Sequence, residues 1–265
     1  MTKLRRIAVL VLPPLVVFGA VMGAWYFTSY VVLDETEKFL LPPPHEVVSD
    51  AFFESEIRAD ILDATWVSAK VAAIGLAVAI GIGFVTAIAM SRAKWIERSL
   101  YPWVILLQTV PILAIVPVIG FWFGFNLFPR VVVVVIIALF PLIINTLQGL
   151  QSPDPGLHDL FTLARSGGAR RLTKLQLPAA MPDMFVGLQS AAGLAVVGAT
   201  VGDYFFGRGQ IGLGMLIARY SSRLQSAEML ATVFMACFLG VIAFTVFGAL
   251  GRRTVGAWSP AWGAR

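Results

Sequence analysis

Residues able to do covalent chemistry are sparse in this sequence, and their positions do not converge. The two histidines lie apart, His45 beside a triple proline and His158 in a basic loop, so they cannot share a metal ion. No nucleophile is set beside a base, and no G-x-x-x-x-G-K-[ST] phosphate loop occurs. No catalytic residue, metal site or cofactor is therefore expected, and any ATP that drives the protein must be bound by another chain. Gly207-Arg208-Gly209-Gln210-Ile211-Gly212 matches the G-x-G-x-x-G string of dinucleotide sites. That string needs a preceding strand within a βαβ unit, whereas here it follows an apolar segment, so a glycine-rich turn entering a short helix at 213–219 is expected instead. The lone Cys237, inside an apolar segment, reads as a small packing residue.

The remaining chemistry is polar recognition, in two settings. Gln108, Thr109, Asn145, Thr200 and Asp203 lie in or at the edge of long apolar segments. Polar groups so placed line a pathway or hydrogen-bond between helices, and Asp203 has the further option of being a solvated acid just beyond its span. The second setting is the polar, basic stretch 151–174. Asp154 before Pro155 is a helix start, an N-cap acid with proline in the first turn. Leu157, Leu160, Phe161 and Ala164 then share one helical face, Gly167-Gly168 break the helix, and Leu172 and Leu175 resume an apolar face beside Arg170, Arg171 and Lys174. Two short amphipathic helices at a bend suit either a knob that enters a groove on a partner or a hairpin lying on anionic lipid.

The elements that must hold these groups are membrane helices. The 265 residues are 58% hydrophobic and 13% charged, with a mean hydropathy of +0.83, which is more apolar surface than a soluble domain buries. Segments near 7–33, 64–90, 102–125, 130–149, 184–205 and 229–250 are long and apolar enough to cross a bilayer. The apolar run at the start is too long for a cleaved leader and reads as a first span. The net charge of +5 does not indicate nucleic acid, because the basic residues sort by side. Lys3, Arg5 and Arg6 precede the first span, Arg92, Lys94 and Arg98 follow the second, the 165–174 cluster follows the fourth, and Arg252 and Arg253 follow the sixth. With six alternating spans these clusters share one face, the cytoplasmic one, so both termini are expected there. The acid-rich 34–63 loop should face outward.

Within that frame, Leu41-Pro42-Pro43-Pro44 must end the first helix. An amphipathic helix should follow, with Val47, Val48, Ala51 and Phe52 on one face and Glu46, Asp50 and Glu54 on another. Pro111 and Pro117 in the third segment and Pro141 in the fourth should kink their helices or be structurally silent. Gly75, Gly81 and Gly83 in the second segment, and Gly198-x-x-x-Gly202 in the fifth, permit close backbone approach. No internal repeat or second domain is visible, so residues 1–265 read as one domain.

Read without gaps, Asp159-Leu160-Phe161, three residues, Arg165, nine residues and Leu175-Gln176-Leu177-Pro178 resembles the E-A-A-x3-G-x9-I-x-L-P loop of ABC importer permeases, in the nitrate/sulfonate/taurine-type branch. Asp stands for Glu, Leu160 and Phe161 for the two alanines, and Arg165 for the glycine, with Gly167 and Gly168 available to supply the turn. The leucine-proline element at 41–44, the stretch 109–124 and a Gly-x-Gly at 207–209 are also similar to that branch. The resemblance implies an all-α polytopic permease of the type I importer class with about six transmembrane helices. Loop 151–178 would be its cytoplasmic coupling loop, in which Asp159, Leu160, Phe161, Ala164, Arg165, Gly167, Gly168, Leu175, Leu177 and Pro178 dock an ATPase. It further implies a homodimer in the inner membrane, two cytoplasmic ABC ATPase subunits and a periplasmic or extracellular solute-binding protein. ATP binding would close the ATPase pair and switch the permease from inward-facing to outward-facing. The solute could be a small oxyanion, a sulfonate or a pyrimidine- or vitamin-like heterocycle. The alternative class, a passive channel or secondary transporter, would need no docking loop and would typically show inverted repeats or coupling-ion carboxylates in its spans.

Overall fold

The computed structural model describes the backbone of residues 3–206, 209–259 and 262, and no strand occurs among them. Eleven α-helices follow in order: α1 (Lys3–Phe27), α2 (Pro44–Phe52), α3 (Ser55–Arg92), α4 (Lys94–Thr109), α5 (Ile112–Phe123), α6 (Leu127–Gln151), α7 (Pro155–Leu163), α8 (Gly168–Arg171), α9 (Leu177–Phe205), α10 (Leu213–Ser222) and α11 (Ser226–Val255). Five stretches are long and apolar enough to cross a membrane: Leu12–Val32, α3, α6, Gly168–Phe205 and α11. The pair α4 and α5 makes a sixth if the two are one broken span.

That broken span is where the structure departs from a simple reading of hydropathy. The apolar segment 102–125 is bent by 101° between α4 and α5. At the break Val110 and Pro111 are extended, with ψ of 125° and 95°. Proline disfavours helical backbone in the residue before it and has no amide to give to the preceding turn, so the ladder stops there. Pro117 and Pro141 lie inside helices that run on through them.

The backbone contacts gather into two units. The larger holds Asp63–Met215 and the chain from Met235 onward. Its centre is the pairing of α6 with α9, which share more contacts than any other two helices. The reason is missing side chains. A Cβ on Gly198 would lie 2.9 Å from Val134 Cα, one on Gly187 2.9 Å from the Pro141 carbonyl oxygen, and one on Gly149 2.9 Å from Ala180 Cα. Ala191, Ala192, Ala195 and Ala199 are buried along the same helix, against Val134, Ala138 and Leu142 of α6. Small residues are what allow two membrane helices to approach closely enough for dispersion contacts to hold them. From α3, Gly83 lets Leu142 come equally near, while Gly81 meets nothing within 4 Å.

The smaller unit comprises the segment up to Leu62 and Leu216–Phe234. Its α1 runs on through a π-helical turn, Thr28–Val32. The proline-rich turn leaves carbonyls free, and the first span takes them: Trp25 Nε1 donates to Pro42 O at 3.0 Å and Ser29 Oγ to Leu41 O at 2.8 Å. The Trp25 ring also stacks on Phe234, with centroids 5.5 Å apart. Helix α2 forms as its pattern predicts, but its buried face is narrower than expected. Val47 and Ala51 are buried, whereas Val48 is exposed, and the side chain of Phe52 lies outside the described residues.

If the α6–α9 contact depends on absent side chains, Gly198→Leu should lower stability by about 1–3 kcal/mol through overpacking. Gly81→Ala, in open space, should be neutral or slightly stabilising. Thermal unfolding of the detergent-purified variants checks both.

Candidate functional site

The connection from α6 to α9 carries the expected docking residues. Helix α7 begins as its sequence dictates, with the Asp154 carboxylate accepting from Gly156 N at 2.7 Å and Pro155 in the first turn. Its end corrects the expectation about the glycines. Ser166 N donates to Phe161 O at 2.9 Å and Arg165 N to Thr162 O at 3.0 Å, the paired bonds of a Schellman cap. Such a cap needs a left-handed residue, and that residue is Arg165, at φ 47°. Gly167 is extended with φ −63°, and Gly168 opens α8, so neither supplies the left-handed turn. Gly168 has another use: a Cβ there would sit 3.0 Å from Arg92 Nη1.

Beyond the turn, Arg171 Nη2 donates to Thr162 Oγ1 at 2.7 Å and ties the two arms together. Leu172–Gln176 forms a π-helical turn before α9. Pro178 cannot donate to the Lys174 carbonyl, and Leu177 N instead reaches back to Leu172 O. Leu175 is half-buried, Leu177 packs against the main core, and Gln176 Nε2 donates to Leu150 O at 3.3 Å, which anchors this arm to the end of α6.

The face of α7 is left uncovered. Leu157, Leu160 and Leu163 are 44%, 59% and 80% exposed; Asp159 and Ala164 are exposed as well, and Phe161 is half-buried. Leu163 was not among the expected residues, although its spacing of three from Leu160 was there to be read. A short helix followed by a basic arm thus presents leucines that the described residues leave largely uncovered.

A second cluster lies at the other end of the α6–α9 pair. Asp203, read from the sequence as a pathway or solvated acid, is fully buried and offers no surface to solvent or solute. Arg130 Nη1 meets its Oδ1 at 3.1 Å, and Ser68 Oγ donates to its Oδ2. The same guanidinium donates through Nε and Nη2 to Phe206 O at 3.1 and 2.6 Å, and through Nη1 to Gln210 O at 3.0 Å. Leu213 N donates to Ser68 Oγ at 2.8 Å. Arg130 thus holds the Phe206 and Gln210 carbonyls, and Ser68, itself bonded to Asp203, holds Leu213 N. Gly209 takes φ 105°, a left-handed conformation natural to glycine, and Gly212 lies against the Asp203 carboxylate with no room for a Cβ. Gly207 and Arg208 lie outside the described residues. The predicted short helix follows as α10. Arg130 and Ser68 were missed; an acid at the edge of a span calls for a cation, and Arg130 was the arginine at the start of a neighbouring span.

The other polar candidates are not brought together. Gln108 and Thr109 are exposed at the α4–α5 break, with Thr109 Oγ1 on Leu106 O at 3.2 Å. Asn145 Nδ2 donates to Pro141 O at 2.7 Å and Thr200 Oγ1 to Val196 O at 2.9 Å, each within its own helix.

Residues 79–256, which contain α7 and the Arg130–Asp203 pair, match the family model described as "binding-protein-dependent transport system inner membrane component". The chain belongs to that family. Among its relatives, the formylaminopyrimidine transport permease protein ThiX of Halalkalibacterium halodurans is 28% identical over 88% of this chain and 90% of its own length. The putative aliphatic sulfonates transport permease protein SsuC of Bacillus subtilis is 28% identical over 80% and 72%. The riboflavin transport system permease protein RibX of Chloroflexus aurantiacus is 35% identical over 48% of this chain and 47% of its own length. The protein is thus a permease subunit of an ABC importer in the sulfonate-type branch, a multi-pass component of the inner membrane, and not a passive channel or secondary transporter. Membership implies ATPase and solute-binding-protein partners.

The buried ion pair makes a stability prediction. Asp203→Leu strands a buried guanidinium and should cost the permease about 3–5 kcal/mol, whereas Asp203→Leu combined with Arg130→Met should recover much of that loss. Melting temperature and monodisperse yield of the three proteins measure it.

Proposed function

We propose that the permease, read as one domain over 1–265, works as a homodimer and takes its energy from separate cytoplasmic ATPase subunits seated on α7. The observation that carries this reading is the uncovered row Leu157, Leu160 and Leu163 on a helix whose position in the 151–178 loop matches the family's coupling motif. An apolar helix face of this size suits insertion into a groove on a partner. The left-handed Arg165 supports it further, because it stands where the motif has glycine and adopts the backbone that glycine favours. The positive-inside distribution supports cytoplasmic termini and a cytoplasmic α7. ATP binding would close the ATPase pair and move the docked loops, while an external binding protein delivers the solute. The names of the relatives support a small polar solute: an oxyanion, a sulfonate or a pyrimidine- or vitamin-like heterocycle.

Ala164→Asp puts an unpaired charge into the proposed contact and should detach the ATPase while the permease still reaches the membrane. Arg165→Gly should keep the ATPase and raise stability by about 1 kcal/mol, since it removes the cost of a left-handed non-glycine residue. Co-purification of the ATPase and a melting curve give the two readouts; full ATPase recovery with Ala164→Asp means that α7 is not the docking element.

Orientation has its own check. In a background without Cys237, cysteines placed at Glu54 and at Arg171 should react with an impermeant reagent from opposite sides of the membrane. Labelling of both from outside intact cells refutes the topology.

A further inference from the structure

The last helix is held to the larger unit mostly at one end. Within that unit the buried residues of α11 are Gly248, Gly251 and Val255, all in its final turns, and Leu239, Ala243 and Phe247 add partial contacts with the main core. Beyond α11 the chain bends back on that same end. Ser259 N donates to Val255 O at 2.9 Å and Trp262 N to Ser259 O at 3.1 Å. Trp262 is buried, and the six-membered part of its ring lies over Gly251, where a Cβ would be 2.5 Å from Cζ3 and 2.7 Å from Cη2. On its other side Nε1 donates to Pro182 O at 3.2 Å, and the Phe185 ring meets the indole edge-on, with centroids 6.2 Å apart. One side chain thus grips α11 through a missing Cβ and α9 through a hydrogen bond and a ring.

The place of this contact along α9 gives it a use beyond packing. Pro182 lies one turn after Pro178, where the 151–178 loop ends and α9 begins. The bond to its carbonyl leaves α9 intact, because a backbone carbonyl has a second lone pair. A displacement that enters through α7 passes the Leu172–Gln176 turn and reaches this part of α9 first. Closely packed side chains pass a displacement on, since protein interiors compress little. The indole therefore hands to α11 a movement that the sparse contacts along the rest of that helix would not.

We infer that Trp262 is a positioning residue for transport: it makes α11 move with the start of α9, so that closure of the ATPase pair shifts α11 together with the α6–α9 pair. The inference rests on the reading of the permease as a homodimer whose ATPase sits on α7. The native Cys237, exposed on α11, takes a spin label without any substitution. In nanodiscs holding the full-length permease with its ATPase, the distance between the Cys237 labels of the two copies is read by double electron–electron resonance. It should change by about 2 Å or more when AMP-PNP and Mg2+ are added. A second probe reports the arm after α7: Thr173→Cys, at an exposed position, in a Cys237→Ser background. Trp262→Ala should abolish the nucleotide-driven change at Cys237 and keep the change at position 173. Gly251→Leu, which fills the space under the indole from α11, should do the same. A full shift at Cys237 in Trp262→Ala, or a still Cys237 in the unaltered chain while position 173 moves, overturns the inference. So does loss of both shifts in Trp262→Ala, which makes Trp262 a residue of the fold alone. If the ATPase does not co-purify with the unaltered chain, or no label-to-label distance is found, the docking or homodimer reading itself fails and takes this inference with it.

Discussion

Helices α6 and α9 approach as they do because side chains are absent where their backbones meet. In lipid no hydrophobic force draws two apolar helices together, so close contact and hydrogen bonding must do it. Gly149 allows α6 to touch Ala180 near one end of the pair, Gly187 touches Pro141 midway, and Gly198 and Gly202 touch Val134 and Arg130 toward the other end. The contact thus runs along most of both helices rather than crossing at a point. What attaches to either end of the pair is held by a rigid base.

Two features sit on those ends. At one, Gly202 lets Arg130 lie close against α9, which brings a buried cation beside the buried Asp203. Together with Ser68 that pair holds the 206–213 turn. At the other, α7 and the basic arm that follows it are the connection between the two packed helices, and Gln176 is bonded back to the last turn of α6. A partner that grips α7 therefore acts on both central helices at once. A mobile loop between independent helices would dissipate the same displacement.

Hydropathy made the spans legible because an apolar run of this length has few other uses. Capping chemistry was equally legible in Asp154-Pro155, where side chain and backbone act within a few residues. The failures share a cause, which is that the deciding partner is distant or is geometry rather than residue type. Pro111 breaks its helix and Pro141 does not, although both look alike in sequence. The turn after α7 was assigned to Gly167 and Gly168 on residue preference, yet the bonds to Phe161 and Thr162 put the left-handed conformation on Arg165. Asp203 was visible as an unusual acid, but its role depends on Arg130 and Ser68, far away in the chain.

The same geometry separates the polar groups whose bonds are cheap to exchange from the one whose bonds are not. Thr109, Asn145 and Thr200 bond to carbonyls of their own helices. A hydroxyl or amide can exchange such a bond for one to a solute, because each is worth only about 1 kcal/mol net and the carbonyl keeps its helical partner where the ladder is intact. Asp203 has no such freedom: releasing it takes the carboxylate away from a buried guanidinium, at a cost of several kcal/mol. A rearrangement of this helix pair that keeps the ion pair closed therefore costs less than one that opens it.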